Sequence, residues 1–390
     1  MSITIFGDSF SFPEGNAATN RVYTYAKGFT ELGEQTHIIC FGNDFPVKKQ
    51  GLADGIPYYH PYKPEQRCRS FVERRWYNLL KYFSTLRLII QINRKEKIRA
   101  IIVYTKQLPT HTLAYIASRI LHCLLIVENS EHPLRYYQNS KWKKLTGNLK
   151  VRFEHLTTDA YLLITNNLIE FYSSRTGKSS NLLLVPSTVD PQRFISTNIP
   201  LTSFEYIGYF GSINFDRDNV DLLLRAYSKI TEKHSNTHLL LGGIILEEDR
   251  QKVLRLAAEL GIESKFHLLG YLSRDEVIPF FMNAKLLVLV RANEPFTEAS
   301  YPSKITEYLA TGNPVVSVRV SEIPNYLTDH HNAYLVNPGD VHGLAEVIDE
   351  VLANYSEAKK VGHRGKELTE TIFNYKYQAK RILSFLDNLN

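Results

Sequence analysis

The chain has 390 residues, a net charge of +6, and 44% apolar against 22% charged residues; these values exclude a disordered or fibrous chain and leave room for two globular domains of ordinary size. No run approaches the roughly 18 apolar residues of a membrane span, and the opening Ile3-Thr4-Ile5-Phe6 lacks the basic segment and long apolar run of a secretory leader. The cysteines Cys40, Cys68 and Cys123 are far apart, show no metal-ligand or redox spacing, and fit a reducing cytoplasm.

In chain order, residues 3–8 read as a buried strand. A loop reaching Gly15-Asn16 follows, then a helix to about Leu32, a stop at Gly33 and a second strand over 36–41. This opening predicts an α/β, doubly wound sheet. Gly15 lets backbone approach a ligand closely, and Asn16 keeps the helix start small. A lone glycine is not a G-x-G-x-x-G fingerprint, which disfavours a dinucleotide dehydrogenase. Strands over 100–104 and 123–127 flank a helix over 110–121. The second strand ends in Glu128-Asn129-Ser130-Glu131-His132-Pro133. Polar residues at the carboxyl end of a parallel strand stand where open α/β sheets take ligands, so Glu128, Glu131 and His132 are candidate site residues. A histidine in an ordinary loop before proline fits as well. A helix over 152–159 and strands over 160–165 and 182–186 finish the first half, and residues 196–203 form a polar linker. The second half opens with a strand over 206–211 that runs into a glycine turn at Gly211. Helices follow over 219–234, 247–260, 273–283 and 341–355, with strands over 239–242, 266–270 and 285–290. A last helix over 375–389 is expected to pack back on the first half. The expected domains are 1–198, 199–372 and the closing helix 373–390.

The stretch with the most chemistry is RANEPFTEASYPSKITEYLATGNPVVSVR, residues 291–319. Pro302 suits a first helical position, and Gly312 suits a C-terminal stop. Ser303, Lys304 and Ile305 then stand at a helix start, where unpaired N–H groups and the helix dipole attract anions. Glu307 lies four residues beyond Ser303 on the same face. Its carboxylate only accepts hydrogen bonds, which suits a vicinal diol such as a ribose. A phosphate cradle beside a diol acceptor describes a nucleotide site. A capped helix with a solvated lysine and glutamate fits the same spacing.

PSKITEYLATGNPVV resembles the donor-nucleotide motif of the retaining glycosyltransferases of the GT-B fold, in the large fourth family (glycosyl transferases group 1). That resemblance implies two Rossmann-like domains facing a central cleft, with the donor mostly on the second. Glu307 matches the second glutamate of a Glu-x7-Glu motif, which holds the ribose. The first glutamate falls at Ala299, with Glu298 one position off. FPEGNAATNRVYTYAKGF resembles the family's opening and places Gly15 and Asn16 at the cleft; Arg21 either faces it or forms a helix-surface ion pair. VPSTVDPQRF resembles the end of the first domain, where Asp190 caps or ties the crossover. Gly211 and Ser212 match the turn whose amides meet the pyrophosphate. The usual Arg there is Ser212, and the usual Lys-Gly is Asp218-Asn219, so Arg217 or Arg291 would replace the missing cation. HLLGYLSRDEV resembles the segment that holds the base, at Gly270 and Tyr271. The catalytic set implied is Glu131, His132, Arg217 and Lys304. The donor-binding set is Gly15, Asn16, Gly211, Ser212, Gly270, Tyr271, Ser303, Lys304, Ile305 and Glu307. No metal site and no cofactor beyond the nucleotide-sugar substrate, a UDP-sugar by preference, is implied, since no Asp-x-Asp or histidine cluster ends a strand.

Between Lys63 and Arg99 stand eleven Lys and Arg against three acids, with Tyr77, Leu79, Leu80, Phe83, Leu86 and Ile90 interleaved at near-helical spacing. Either this is a solvated helix packing its apolar stripe on the core, or it meets anionic lipid or a lipid-linked acceptor. Nucleic acid is the weaker alternative, because no recognised binding module accompanies the charge. The expected protein is a hexosyltransferase-type enzyme of cell-surface polysaccharide synthesis acting on a glycan or lipid-linked acceptor, cytoplasmic or peripheral on the inner membrane face. A non-catalytic GT-B subunit and a nucleotide-sugar epimerase of the same architecture are the alternatives.

Overall fold

The computed structural model describes residues 1–42, 49–61, 70–137, 140–176, 181–195, 201–294 and 297–389. It divides into two compact units, residues 1–186 with 375–390, and residues 187–374. The division falls at Pro186–Ser187 rather than at residue 198. Val189 donates its N–H to the Phe373 carbonyl at 2.9 Å and bridges Asn374, which ties this segment to the second unit.

The first unit runs β1 (Ser2–Gly7), α1 (Ala17–Glu31), β2 (Gln35–Cys40), β3 (Gln50–Ala53), β4 (Ile56–Tyr59), α2 (Phe71–Lys95), β5 (Ile98–Tyr104), α3 (Leu108–Leu121), β6 (Leu124–Asn129), α4 (Lys141–Thr157), β7 (Ala160–Leu163), α5 (Asn166–Thr176) and β8 (Leu182–Leu184). Its sheet order is β3-β4-β2-β1-β5-β6-β7-β8, parallel except for β3 on β4. The central strands are buried along almost their whole length, β5 as a nearly continuous apolar run, as expected for strands covered on both faces. Asp54 and Gly55, both with positive φ, close the β3–β4 hairpin; an Asp-Gly pair is the common two-residue hairpin turn, although no hairpin was expected from the sequence. The chain leaves β1 in one direction through α1 and crosses back from β4 through α2. Right-handed crossovers therefore put α1 on one face of the sheet and α2, α3 and α4 on the other; α2 packs on α3 and α3 on α4. Helix α4 begins eleven residues before the expected start at 152, because the Ser140 hydroxyl caps it by accepting from the Lys143 amide at 3.2 Å. Residues 62–69, the start of the expected basic segment, lie outside the described residues, as do residues 196–200 of the expected linker.

The second unit runs β9 (Glu205–Phe210), α6 (Phe215–Asp218), α7 (Val220–Ser228), β10 (Thr237–Gly242), α8 (Glu247–Glu259), β11 (Phe266–Gly270), α9 (Val277–Asn283), β12 (Leu286–Leu289), α10 (Lys304–Thr311), β13 (Val315–Val318), α11 (Ile323–Tyr326), β14 (Tyr334–Val336), α12 (Val341–Ala353) and α13 (Tyr355–Glu370). All six strands are parallel in the order β11-β10-β9-β12-β13-β14, the Rossmann order. Its switch point lies between β9 and β12. The chain then returns to the first unit as α14 (Tyr375–Asp387), which packs on α1. A Cβ on Gly28 would meet the Ala379 Cβ at 2.5 Å, so only glycine lets these two helices approach so closely.

One buried histidine gives the first unit an acid limit. The His111 Nε2–H donates to the Thr157 hydroxyl at 2.7 Å, and that hydroxyl donates on to the Phe153 carbonyl at 2.8 Å. Burial, helped by nearby Lys150, pushes the imidazole down from 6.5 to about 4. Because the folded value lies below the unfolded one, the unfolded chain binds the extra proton between them. This contribution is therefore complete above pH 6.5 and falls away as pH drops toward 4, to a loss of about 3 kcal/mol. Urea unfolding from pH 7 to pH 4 should show a weaker pH dependence in His111→Gln than in the parent chain; parallel curves would remove His111 as the cause.

Candidate functional site

Open α/β sheets bind ligands outside the carboxyl ends of their strands, at the switch point. In the second unit the chain leaves β9 through Gly211 and β12 through Arg291. The Ala292 N–H donates to the Arg217 carbonyl at 3.0 Å and joins these two loops. Four glycines lie side by side where β9, β10 and β11 end. The Gly211 N–H donates to the Gly242 carbonyl at 2.9 Å, and the Gly243 N–H to the Gly270 carbonyl at 2.7 Å. Gly243 has φ +143°, and a Cβ there would lie 1.7 Å from the Gly211 carbonyl oxygen. In this floor a side chain is excluded at Gly243, whereas a Cβ on Gly211 would meet nothing nearer than 3.7 Å. Gly211 thus contributes close approach rather than a free donor, since its N–H is already used.

Helix α10 begins beside this floor. Ser303 is its N-cap residue and Gly312, at φ +73°, its stop. The helix starts two residues after Pro302, because the Pro302 carbonyl accepts the Ile305 N–H at 3.0 Å in a preceding turn. Ile305 is wholly buried and is a core residue. Lys304 reaches toward the glycines, its Cε 4.0 Å from where a Gly211 Cβ would stand. Its Nζ lies 3.4 Å from a carboxylate oxygen of Glu307, which is 8% exposed. The helix is locked to β9 by Tyr308, whose hydroxyl accepts from the Phe210 N–H at 2.7 Å and donates to the Phe210 carbonyl at 3.0 Å. Gly211, Lys304 and Glu307 thus gather at one corner of the unit.

The other side of this corner carries mixed charge. Arg217 is exposed at the end of α6. The adjacent Asp218 carboxyl is pushed up by burial, against the opposing pull of Arg217 and Arg291. A half-buried acid therefore stands where the resemblance leads one to expect a lysine. Arg291 is buried and donates to the Ser300 hydroxyl at 2.8 Å. Ala299, in place of the first glutamate, is fully buried, while Glu298 accepts from the Ser321 N–H at 3.4 Å. Ser212 is exposed, and its carbonyl accepts from the buried Tyr209 hydroxyl at 2.7 Å. Gly270 has φ +75°, and the Tyr271 ring next to it is 59% exposed.

In the first unit, Asn16 caps α1 by accepting from the Ala18 N–H at 3.0 Å, and Gly15 precedes it in an exposed loop. Glu131 accepts from Lys106 at 2.7 Å. His132 lies edge-on to Phe171, and its Nδ1 accepts from the Leu134 N–H at 3.2 Å. Burial, and then Arg175, lower its pKa, so it is a neutral imidazole protonated on Nε2. Glu128 is not available to a substrate. Arg21 holds it through Nε at 2.6 Å and Nη2 at 3.5 Å, and Tyr25 and Ser130 donate to it at 3.1 and 2.9 Å. Arg21 also donates to the carbonyls of Val185 and Pro186 at 2.8 and 2.9 Å. It is therefore neither a ligand-facing residue nor part of a surface pair but the centre of a buried network. Asp190 caps the turn Pro191–Arg193, accepting from the Gln192 N–H at 3.1 Å.

Gly243 and Tyr308 were not singled out from the sequence. The Gly242-Gly243 pair ending a strand was a usable signal; nothing local marked Tyr308. Among the described residues no three His, Cys, Asp or Glu side chains converge as they would around a metal ion.

Residues 198–368 match the family model described as Glycosyl transferases group 1. The lipopolysaccharide core biosynthesis glycosyltransferase LpsE of Rhizobium meliloti (strain 1021) is 31% identical over 121 residues, 31% of this chain and 33% of its own. This match and two others span about a third of each relative's length, 33%, 31% and 38%. The sucrose-phosphate synthase of Thermosynechococcus elongatus superposes with a TM-score of 0.76 at 14% identity, over 100% of this chain and 99% of its own. The Anabaena protein HepE, in complex with UDP and glucose, superposes with a TM-score of 0.75 at 14% identity over 100% of both chains. At such identity these likenesses concern the fold alone. Residues 198–368 thus belong to the glycosyl transferases group 1 family, and the chain as a whole has the fold of the GT-B glycosyltransferases.

Proposed function

We propose that the chain is a retaining glycosyltransferase that moves a sugar from a nucleotide-sugar, a UDP-sugar by preference, to a glycan or lipid-linked acceptor. The observation that carries this reading is the corner where α10 meets the glycine floor, with Lys304 placed for phosphate and Glu307 for a ribose diol. Support for the donor comes from the fold relative crystallised with UDP and glucose, and support for a glycan acceptor from the relative named for lipopolysaccharide core synthesis. In this reading the bond from the sugar's anomeric carbon to the diphosphate breaks, and a bond to the acceptor oxygen forms on the same face. The acceptor proton passes to the departing phosphate oxygen. Lys304, Arg217 and the start of α10 stabilise the developing charge without a metal. The loop carrying Glu131 and His132 is assigned to the acceptor.

The test is nucleoside-diphosphate release from UDP-, GDP- and ADP-sugars with glycan and lipid-linked acceptors, with and without EDTA, alongside a thermal-shift screen of the same donors. Ligands that bind the native state raise its melting temperature. Release that needs an acceptor and survives EDTA supports the reading, product without acceptor points to epimerisation, and no shift with any donor overturns it. Asp218, a half-buried acid beside the proposed phosphate site, favours one second reading, a GT-B subunit that binds a partner without turnover.

A further inference from the structure

We propose that the α2–α3–α4 face of the N-terminal unit docks on a bilayer surface rich in anionic phospholipid. The first three turns of α2 are inside out. Val72, Trp76, Leu79 and Phe83 follow each other at helical spacing and are 53–74% exposed, while the inward residues include Lys81 and Thr85. Helix α4 repeats the pattern with Trp142, Leu145, Leu149 and Leu156, each 52–77% exposed. At roughly 100° per residue, each stripe spans a sector of about 60°. Between them α3 exposes Ile116 and Ile120. Apolar area on this scale rarely stays bare.

The charge chooses the occupant. On these three helices ten Lys and Arg are exposed against one exposed acid, Glu73, an excess larger than the +6 of the whole chain. Arg75 and Arg87 flank the stripe of α2, and Lys141 and Arg152 that of α4. Protein interfaces are depleted in lysine. Apolar stripes with a tryptophan and basic flanks match a helix lying in an anionic lipid interface. Among the described residues no helix is long and apolar enough to cross a membrane, and these helices would lie on the surface. The basic segment expected at 63–99 supplies only α2; α4 is a second, separate contact. The loop of Glu131 and His132 leads through the turn Arg135–Tyr137 into α4, so docking would bring that loop to the lipid surface, a consequence that rests on the lipid-linked acceptor proposed above.

The chain's two tryptophans, Trp76 and Trp142, both lie on this face, so intrinsic fluorescence reads docking without a label. The full chain is mixed with phosphatidylcholine vesicles with or without roughly 30% phosphatidylglycerol, then sedimented. The expected result is a blue-shifted emission and at least about tenfold more binding to the anionic vesicles, lost as salt is raised. Lys141→Glu with Lys143→Glu and Lys144→Glu should abolish the difference, and Trp142→Ala with Leu149→Ala should weaken binding to both. Every altered side chain is exposed, so melting temperature and UDP binding should not change, which separates this test from that of the donor site. Equal sedimentation with both vesicles, or an emission shift that follows protein concentration without lipid because a second copy covers the face, would overturn the proposal.

Discussion

Replacing Glu128 by glutamine is expected to destabilise the N-terminal unit by about 3–5 kcal/mol, the usual cost of stranding one member of a buried ion pair. The side chains of Arg21 and Glu128 are 6% and 2% exposed. Burial alone would lower the arginine's pKa, yet the adjacent carboxylate leaves it raised, so the charge stays and needs its partner. Tyr25 and Tyr104 next to the pair are held further from ionisation, chiefly by burial, and offer no replacement anion. In a unit of this size the loss lowers the melting temperature by about 10 °C, at roughly 2–4 °C per kcal/mol. Joint replacement, Arg21→Met with Glu128→Leu, should cost less than the two single changes summed, because no charge is left buried. Differential scanning calorimetry of the parent, Glu128→Gln, Arg21→Met, Glu128→Leu and the double variant decides it. A Glu128→Gln change within about 1 kcal/mol of the parent would show that water or another group solvates Arg21.

The second large effect concerns ligand binding. Glu307→Ala is expected to weaken UDP and uridine alike, by about 10- to 100-fold, the worth of hydrogen bonds from a diol to a charged acceptor. Lys304→Ala should weaken UDP by a similar factor and leave uridine nearly unchanged, because its cation meets only the phosphates. The 3.4 Å contact between the two side chains couples them, so the double variant should fall short of the summed losses. Calorimetric titration with each ligand gives all the affinities. If Glu307→Ala spares uridine, the carboxylate serves only to orient Lys304, and the diol contact lies elsewhere.

The two predictions differ in how far the sequence alone announced them. The α10 corner was legible because its signals are local. Pro302 and Gly312 bracket the helix, Lys304 and Glu307 share a face, and the flanking apolar runs mark parallel strands. The doubly wound architecture followed from the same alternation of apolar runs and helices. The first half of α2 was harder to read, since a helix with its apolar face outward has the same periodicity as one with that face inward.

What the sequence determined by itself was most of the parallel strands and the helices between them, the α/β class and the family motif around Glu307, because spacing and turn chemistry act over a few residues. Only the tertiary structure decided that Glu128 belongs to Arg21, 107 positions away in the chain, that Gly243 stands against the Gly211 carbonyl, and that both tryptophans face outward. Those outcomes depend on which strand ends are neighbours and which side of the sheet a helix takes, and crossover handedness and strand order set both over separations that no local pattern records.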